Sequence, residues 1–352
     1  MSPSYTIIDQ YNLTISLLIT IAWQVMGFAI AWTFKFDKIT DFTGGSNFFI
    51  LALITLTTGG TYYARNIVAS VLMMIWAARL AGFLLFRVLK TGSDTRFDDI
   101  RNHFFKFAGF WVGQIMWVWV VSLPVVILNS PAVSSGNLSG DPSFGKATDI
   151  VGIILFAIGL FWEAVGDIQK YLFKSSKPPK GQPCTKGLWY FSRHPPYFGE
   201  IVIHWGLWVL CVTPTLSGAL PASAKRAQYA AVTAPLFTMV LLLFLSGIPT
   251  AEKPTAKKYF LMSHPTSSST SDGGNGGNSS FSHPEPSNEI WSEYKQYLKR
   301  TSILFPVPPS LYAPLPEAVK RTVLLDLPMF KFDENKDGKE ALEQERKKNG
   351  NA

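Results

Sequence analysis

An all-α polytopic membrane bundle of about seven transmembrane helices is the fold this sequence predicts. The first observation behind it is segregation: the 352-residue chain has an ordinary average of 47% hydrophobic residues, but its charged and apolar residues occupy different stretches. The second is length, since several apolar stretches reach the roughly twenty residues a helix needs to cross a hydrocarbon core. The third is that Lys and Arg collect in alternate loops, the pattern left by cytoplasmic retention of positive charge. The net charge of +8 therefore reads as topology and attraction to anionic headgroups, with no nucleic acid implied. Two cysteines, Cys184 and Cys211, exclude a disulfide framework.

The first span is expected over residues 13–34; without a basic leader and too long for a signal h-region, it reads as retained. The second, 47–63, contains Gly59-Gly60, which loosens a helix or allows close packing. The third, 67–89, carries Arg79, expected to face other helices and to need a partner. A loop rich in both signs follows, with Asp94, Arg96, Asp98, Asp99 and Arg101, then a Trp-rich fourth span over 104–128. The fifth, 150–173, is apolar in its first half and then shows Glu163, Asp167, Gln169 and Lys170; Glu163 and Asp167, four apart, share a helical face. The sixth starts near Pro196 and the seventh covers 230–247. Lys35 and Lys38 follow the first span, Arg96, Arg101 and Lys106 the third, Lys174, Lys177, Lys180 and Lys186 the fifth, and Lys253, Lys257 and Lys258 the seventh. That asymmetry predicts a luminal N-terminus and a cytosolic C-terminus, with endoplasmic reticulum as the expected membrane and the sequons at Asn12 and Asn137 on the outer side.

Most of the reactive side chains lie in one stretch, Gly187-Leu-Trp-Tyr-Phe-Ser-Arg-His-Pro-Pro-Tyr-Phe-Gly-Glu200. Arg193, His194, Tyr197 and Glu200 fall within eight residues, with His204 one turn further on. Pro195 and Pro196 suit the first turn of a helix, where amides lack intrahelical acceptors. The positive end of that helix would then lie beside Arg193, an arrangement that favours a phosphate or another anion. The same arginine and aromatics also suit an interfacial anchor.

Residues 1–64 are thus read as N-terminal spans, 65–262 as the main membrane domain, 263–288 as a flexible Ser/Gly-rich insertion with nothing to bury, 289–310 as its closing segment and 311–352 as a charged, disordered tail. Trp291, Tyr294 and Tyr297 sit at helical spacing and predict a short amphipathic helix at the membrane face. In the tail Asp333, Asn335, Asp337 and Gly338 imitate the opening of a calcium loop, but Glu340 and Gln344 stand where an apolar residue and a glutamate belong, so no metal is expected.

From Trp162-Glu163 through Asp167-x-Gln169 and Gly187-Leu-Trp-x-x-Ser-Arg-His-Pro-x-Tyr-Phe-Gly-Glu200, the chain resembles the DUF1295 branch of the steroid 5-alpha-reductase-like membrane proteins. Ala78-Arg79-Leu80, Arg87-Val88-Leu89, Asp94-x-Arg96-Phe97-Asp98, Gly247-Ile-Pro249 with Glu252-Lys253, and Tyr294-x-x-Tyr297-x-x-x-Thr301-Ser302-x-x-x-Pro306 extend the resemblance over residues 65–309. It implies the helical membrane fold shared by sterol reductases and isoprenylcysteine methyltransferases, with a cytosol-facing cofactor pocket in the C-terminal half. NADPH is the cofactor it implies. Trp189, Arg193, His194, Tyr197 and Tyr294 match the family's cofactor region, and Glu163, Asp167, Gln169 and Glu200 would complete it by holding ribose hydroxyls or balancing Arg193. Each acid would serve equally as a counter-ion for a buried cation. Two departures stand out. Pro196 removes an amide that could bond the cofactor, and Glu163 is the first glutamate in the chain, so no early Glu can polarise a steroid ketone; Tyr62 and Tyr63 are the tyrosines left to donate a proton there.

The first functional reading is an NADPH-dependent reductase of a carbon–carbon double bond in a sterol, isoprenoid or fatty-acyl lipid, with Tyr197 or His194 supplying the proton. The alternatives are an S-adenosylmethionine-dependent methyltransferase of a membrane lipid or lipidated thiol, and a non-catalytic scaffold. The partners implied are the bilayer and a lipid substrate, with no protein partner.

Overall fold

The computed structural model describes residues 8–60, 62–91, 100–134, 143–216, 220–264 and 289–350. Among these the chain is helical and has no strand. In order come α1 Leu13–Thr33, α2 Thr40–Gly59, α3 Ala64–Thr91, α4 Phe104–Leu128, α5 Pro131–Ser134, α6 Ala147–Ser175 and α7 Pro195–Val212. Then follow α8 Ala222–Ala230, α9 Thr233–Val240, α10 Ile248–Ser263, α11 Glu289–Arg300, α12 Pro309–Tyr312, α13 Glu317–Thr322 and α14 Lys339–Gly350. Among the described residues seven helical stretches are long and apolar enough to cross a membrane, as the hydropathy pattern predicted. Asp94, Arg96, Phe97, Asp98 and Asp99, the sequon at Asn137 and nearly all of the Ser/Gly-rich insertion lie outside the described residues.

The second span begins at Thr40, earlier than apolar content suggests. Its first turns are small and polar because they are buried between helices: a side chain at Gly44 would strike the Gln114 amide at 2.6 Å, and one at Gly45 the Ala81 backbone at 3.0 Å. Gly59 and Gly60 divide the two roles considered for them. Gly59 lies directly against the Asn129 carbonyl, and Gly60, at φ 67°, ends the helix in the left-handed conformation that glycine adopts freely. The seventh stretch, Ala222–Ser263, is a broken run: α8, α9, a π-turn over Leu241–Leu245, then α10.

Residues 1–160 with 199–239 form one compact unit, and 161–198 with 240–352 another. The first has a core of Phe48, Leu51, Met73, Trp76, Val121 and Leu207. Within it the amides of Gln24, Asn47 and Gln114 bond one another at 3.0 Å, so each buried polar side chain meets a neighbour in place of water. Arg65 reaches Asp149 at 2.7 and 2.9 Å, both side chains buried. Asn12 is 5% exposed with its amide nitrogen enclosed, so that sequon does not present an acceptor. Arg79 is half-buried, its guanidinium 5.4 Å from the Phe83 ring centre.

α6 and α7 meet through glycines a heptad apart. A Cβ at Gly152 would lie 2.8 Å from the Gly206 carbonyl, one at Gly206 2.7 Å from the Gly152 carbonyl, and one at Gly159 2.6 Å from the Gly199 carbonyl. Small residues let helix backbones approach this closely in a membrane. Gly206→Ala is therefore expected to lower stability by about 1–3 kcal/mol from overpacking, although alanine is the better helix former by about 1 kcal/mol. Gly109→Ala, at an open position of α4, is the control and should not destabilise; thermal melting in detergent reads both.

In the second unit α10 packs on α11 around Ala256, Phe260, Trp291, Tyr294 and Tyr297, with Tyr259 and Phe332 against them. The amphipathic helix over Trp291, Tyr294 and Tyr297 is thus present, and its aromatic face is buried in protein. The tail corrects an expectation: residues 311–350 are folded, not disordered. Its charged residues are mostly exposed while Tyr312, Asp326, Phe330 and Ala341 are buried, and Gly338 sits on the Phe260 ring, where a Cβ would come within 2.8 Å. Composition suggested disorder because the few apolar residues that anchor the tail are spread among many charges. The calcium-loop look-alike is a π-turn, Glu334–Gly338, in which the Asp333 carboxylate accepts the amides of Asn335 and Lys336.

Candidate functional site

The stretch before α7 is held by a backbone clamp within the second unit. Gly187 takes φ 63°, and a side chain there would collide with the Gln169 amide, whose oxygen accepts the Leu188 N–H at 2.8 Å. Trp189 donates its indole N–H to the Gly166 carbonyl at 2.9 Å, lies under the Lys170 ammonium at 4.1 Å, and accepts the Tyr297 hydroxyl on its backbone carbonyl at 3.2 Å. Ser192 bridges to Ser302: the Ser192 hydroxyl donates to the Leu304 carbonyl at 2.8 Å and accepts the His194 amide at 3.1 Å, and the Arg193 amide donates to the Ser302 carbonyl at 2.8 Å. Gln169 and Trp189, both expected to touch cofactor, serve this clamp through the amide oxygen of one and the indole N–H of the other, and Ser302 of the expected closing segment serves it through its backbone carbonyl.

The clamp aims two adjacent side chains into a buried charge network. Arg193 Nη1 lies 2.7 Å from Glu252 Oε2, and Nη2 lies 3.3 Å from Asp326 Oδ1. The other oxygen of Glu252 meets His194 Nε2 at 2.8 Å, and the other oxygen of Asp326 accepts the Tyr312 hydroxyl at 2.6 Å. Tyr197 stacks on the His194 ring, centroids 5.0 Å apart and planes within 5°. All but Tyr197 are under a tenth exposed. Burial works against charge on Arg193, but Glu252 and Asp326 outweigh it and hold the guanidinium above its usual pKa. Burial pushes the phenols of Tyr294 and Tyr297 upward, Glu252 adding to it, and burial and then Asp326 do the same at Tyr312, so all three stay protonated.

Of the site residues expected from sequence, Arg193, His194 and Tyr197 come together here. Tyr294 lies within the electrostatic reach of Arg193 and Glu252 and stacks on Tyr259 at 4.2 Å. Glu163 is buried and Asp167 half-buried, both on α6. Glu200 lies in the first unit, with His204, which is buried against the Trp76 ring at 4.6 Å. Glu252 carried a family-motif signal but no role, and Asp326 and Tyr312 were missed. The available clue was an acid alone in an apolar run, Leu324-Leu325-Asp326-Leu327, since acids are rarely buried unless paired.

The network can hold and orient an imidazole. A carboxylate only accepts hydrogen bonds, so Glu252 fixes the proton of a neutral His194 on Nε2 and leaves Nδ1 as the basic nitrogen. With two carboxylates on one guanidinium, the network has net charge −1 when His194 is neutral and zero when it is protonated. The Lys170 ammonium, which acts on Glu252, and the Lys320 ammonium, 4.7 Å from the centre of the Tyr312 ring, lie outside that count.

A probable O-methyltransferase of Ustilaginoidea virens, ustE, is 41% identical over 83 residues, 24% of this chain and 29% of that protein. This chain therefore aligns with under a third of that relative's length. No solved structure matches. The family model described as "Protein of unknown function (DUF1295)" matches residues 27–263, a range that contains α6, Gly187, Trp189, Arg193, His194 and Glu252 and stops short of the clamp's Tyr297, Ser302 and Leu304 and of Tyr312 and Asp326. The chain belongs to the DUF1295 family.

Proposed function

We propose that this protein is a membrane-embedded methyltransferase that uses S-adenosylmethionine to methylate an oxygen of a lipophilic acceptor. The observation that carries this reading is the charge balance at Arg193. A nucleotide phosphate needs a guanidinium edge free to form two charge-assisted hydrogen bonds, and here both Nη groups already face carboxylates. S-adenosylmethionine carries one net positive charge, which suits a network of zero or negative charge flanked by aromatic faces. The name of the partial fungal relative points the same way.

When bound, S-adenosylmethionine supplies an electrophilic methyl group on a positive sulfur. Glu252 and Asp326 are the groups that would balance that charge, with Tyr197 and Tyr294 offering ring faces. His194 Nδ1 would take the proton of the acceptor hydroxyl, and Glu252 would stabilise the resulting imidazolium through Nε2. Tyr197, stacked on the ring, keeps the imidazole from turning.

The second reading is the NADPH-dependent reduction of a lipid double bond, supported by the Trp162-Glu163 to Gln169 and Thr301-Ser302 to Pro306 segments. In that case Arg193 must give up a carboxylate to meet phosphate. Calorimetric titration of the full chain in detergent separates the two. Saturable S-adenosylmethionine binding without NADPH binding is expected; the reverse selects the reductase, and binding of neither leaves a scaffold.

A further inference from the structure

We infer that Asp326, held in place by Tyr312, is the residue that sets which charge of cofactor the Arg193 site accepts: it occupies the guanidinium edge a phosphate would use. The inference rests on the methyl-transfer reading only for which cofactor is favoured; the exclusion of anions is a separate claim.

Arg193, His194 and Glu252 fall inside the matched family range, whereas Asp326 and Tyr312 come from the tail beyond it. Glu252 divides its two oxygens between Arg193 and His194, so by itself it would leave the Nη2 edge open. Asp326 closes that edge at 3.3 Å. It is not a stray surface acid, being 4% exposed, with its second oxygen bonded to Tyr312 and its backbone amide donating to the Lys320 carbonyl at 2.9 Å. Lys320 in turn lies 4.7 Å from the centre of the Tyr312 ring.

The backbone that presents Asp326 is strained. Leu325, immediately before it, has φ 58°, a left-handed conformation that a side chain with a Cβ rarely adopts. Such strain persists only where surrounding contacts over-determine it, and it clusters at functional positions. Here those contacts include the acid's own bonds to Tyr312 and Arg193. The Arg193 Nε, buried without a partner among the described residues, shows that the guanidinium is positioned for these two carboxylates at the expense of its third donor direction.

The test uses the full chain in detergent as wild type, Asp326→Asn and Tyr312→Phe, each titrated with NADPH, inorganic pyrophosphate and S-adenosylmethionine, with thermal melting to confirm folding. Asp326→Asn is expected to bind NADPH and pyrophosphate about tenfold more tightly than wild type, a gain suppressed by high salt, and S-adenosylmethionine more weakly. Tyr312→Phe, which keeps both carboxylates but releases Asp326, should shift all three in the same direction by less. A folded Asp326→Asn protein with unchanged anion affinity overturns the inference. If that variant does not fold, unchanged anion affinity in Tyr312→Phe overturns it instead. Wild-type affinity for S-adenosylmethionine tests the methyl-transfer reading and the anion gain tests Asp326, so either can fail without the other.

Discussion

Glu252→Ala is expected to lower the stability of the folded protein by about 3–5 kcal/mol, because it strands a buried guanidinium and a buried imidazole at once. Glu252 is 7% exposed and bonds Arg193 and His194 at 2.7 and 2.8 Å, so water cannot replace the lost carboxylate without opening the unit. Any activity that depends on His194 should fall by about a hundredfold to ten-thousandfold, the usual worth of a positioned acid or base. Glu252→Gln separates the two effects. The amide oxygen can still accept from one partner, so most of the stability should survive, but it no longer balances an imidazolium and the activity should not. Denaturant titration alongside turnover of methyl-labelled S-adenosylmethionine into a lipid extract reads both quantities. Equal stability in all three proteins would show that the network is not the hub of the second unit.

Arg65→Ala is expected to cost a similar amount, about 3–5 kcal/mol, in the first unit. Its partner Asp149 is fully buried and also accepts the amides of Gly145 and Lys146 at 3.0 Å, so removing the cation leaves an uncompensated buried charge at the start of α6. Pairing Arg65→Met with Asp149→Leu removes both charges and should recover part of the loss. Recovery stays incomplete because those amides, and the Ser143 carbonyl that Arg65 now satisfies at 2.7 Å, lose their partners. A double variant no more stable than Arg65→Ala would show that the amide bonds, and not the ion pair, dominate.

Gly206→Ala follows from a different kind of contact, and it illustrates what was legible beforehand. Gly152, Gly159 and Gly166 recur every seven residues along α6, as do Gly199 and Gly206 along α7. The period can be read from the chain, but only the coordinates show that the two series face each other, with a Cβ at Gly166 meeting Pro196 at 3.1 Å in the second unit. Pro196 was read mainly as the loss of an amide; it is also a packing surface for α6.

In the candidate site, Arg193, His194 and Tyr197 were legible because an Arg-His-Pro-Pro-Tyr run at the mouth of an apolar segment concentrates unusual chemistry in a few residues. The direction of Arg193 was not. Sequence spacing suggested a guanidinium open to phosphate at a helix end, whereas the structure pairs it with acids 59 and 133 residues away. Gln169 and Trp189, expected to line a cofactor, hold the Gly187–Tyr190 turn through the Gln169 amide oxygen and the Trp189 indole N–H.

By itself the amino-acid order determined a helical, seven-span membrane protein, the position of α4 to the residue, the start of α7 at its prolines and the family to which it belongs. These follow from local quantities: apolar length, proline geometry and loop charge act over one helix at a time. Only the tertiary structure decided that the charged tail folds back, that Asp326 and Tyr312 join the site, and that Arg193 is neutralised where it lies. A buried charge must find its counter-charge wherever the folded chain brings one near, and chain separation carries no record of that distance.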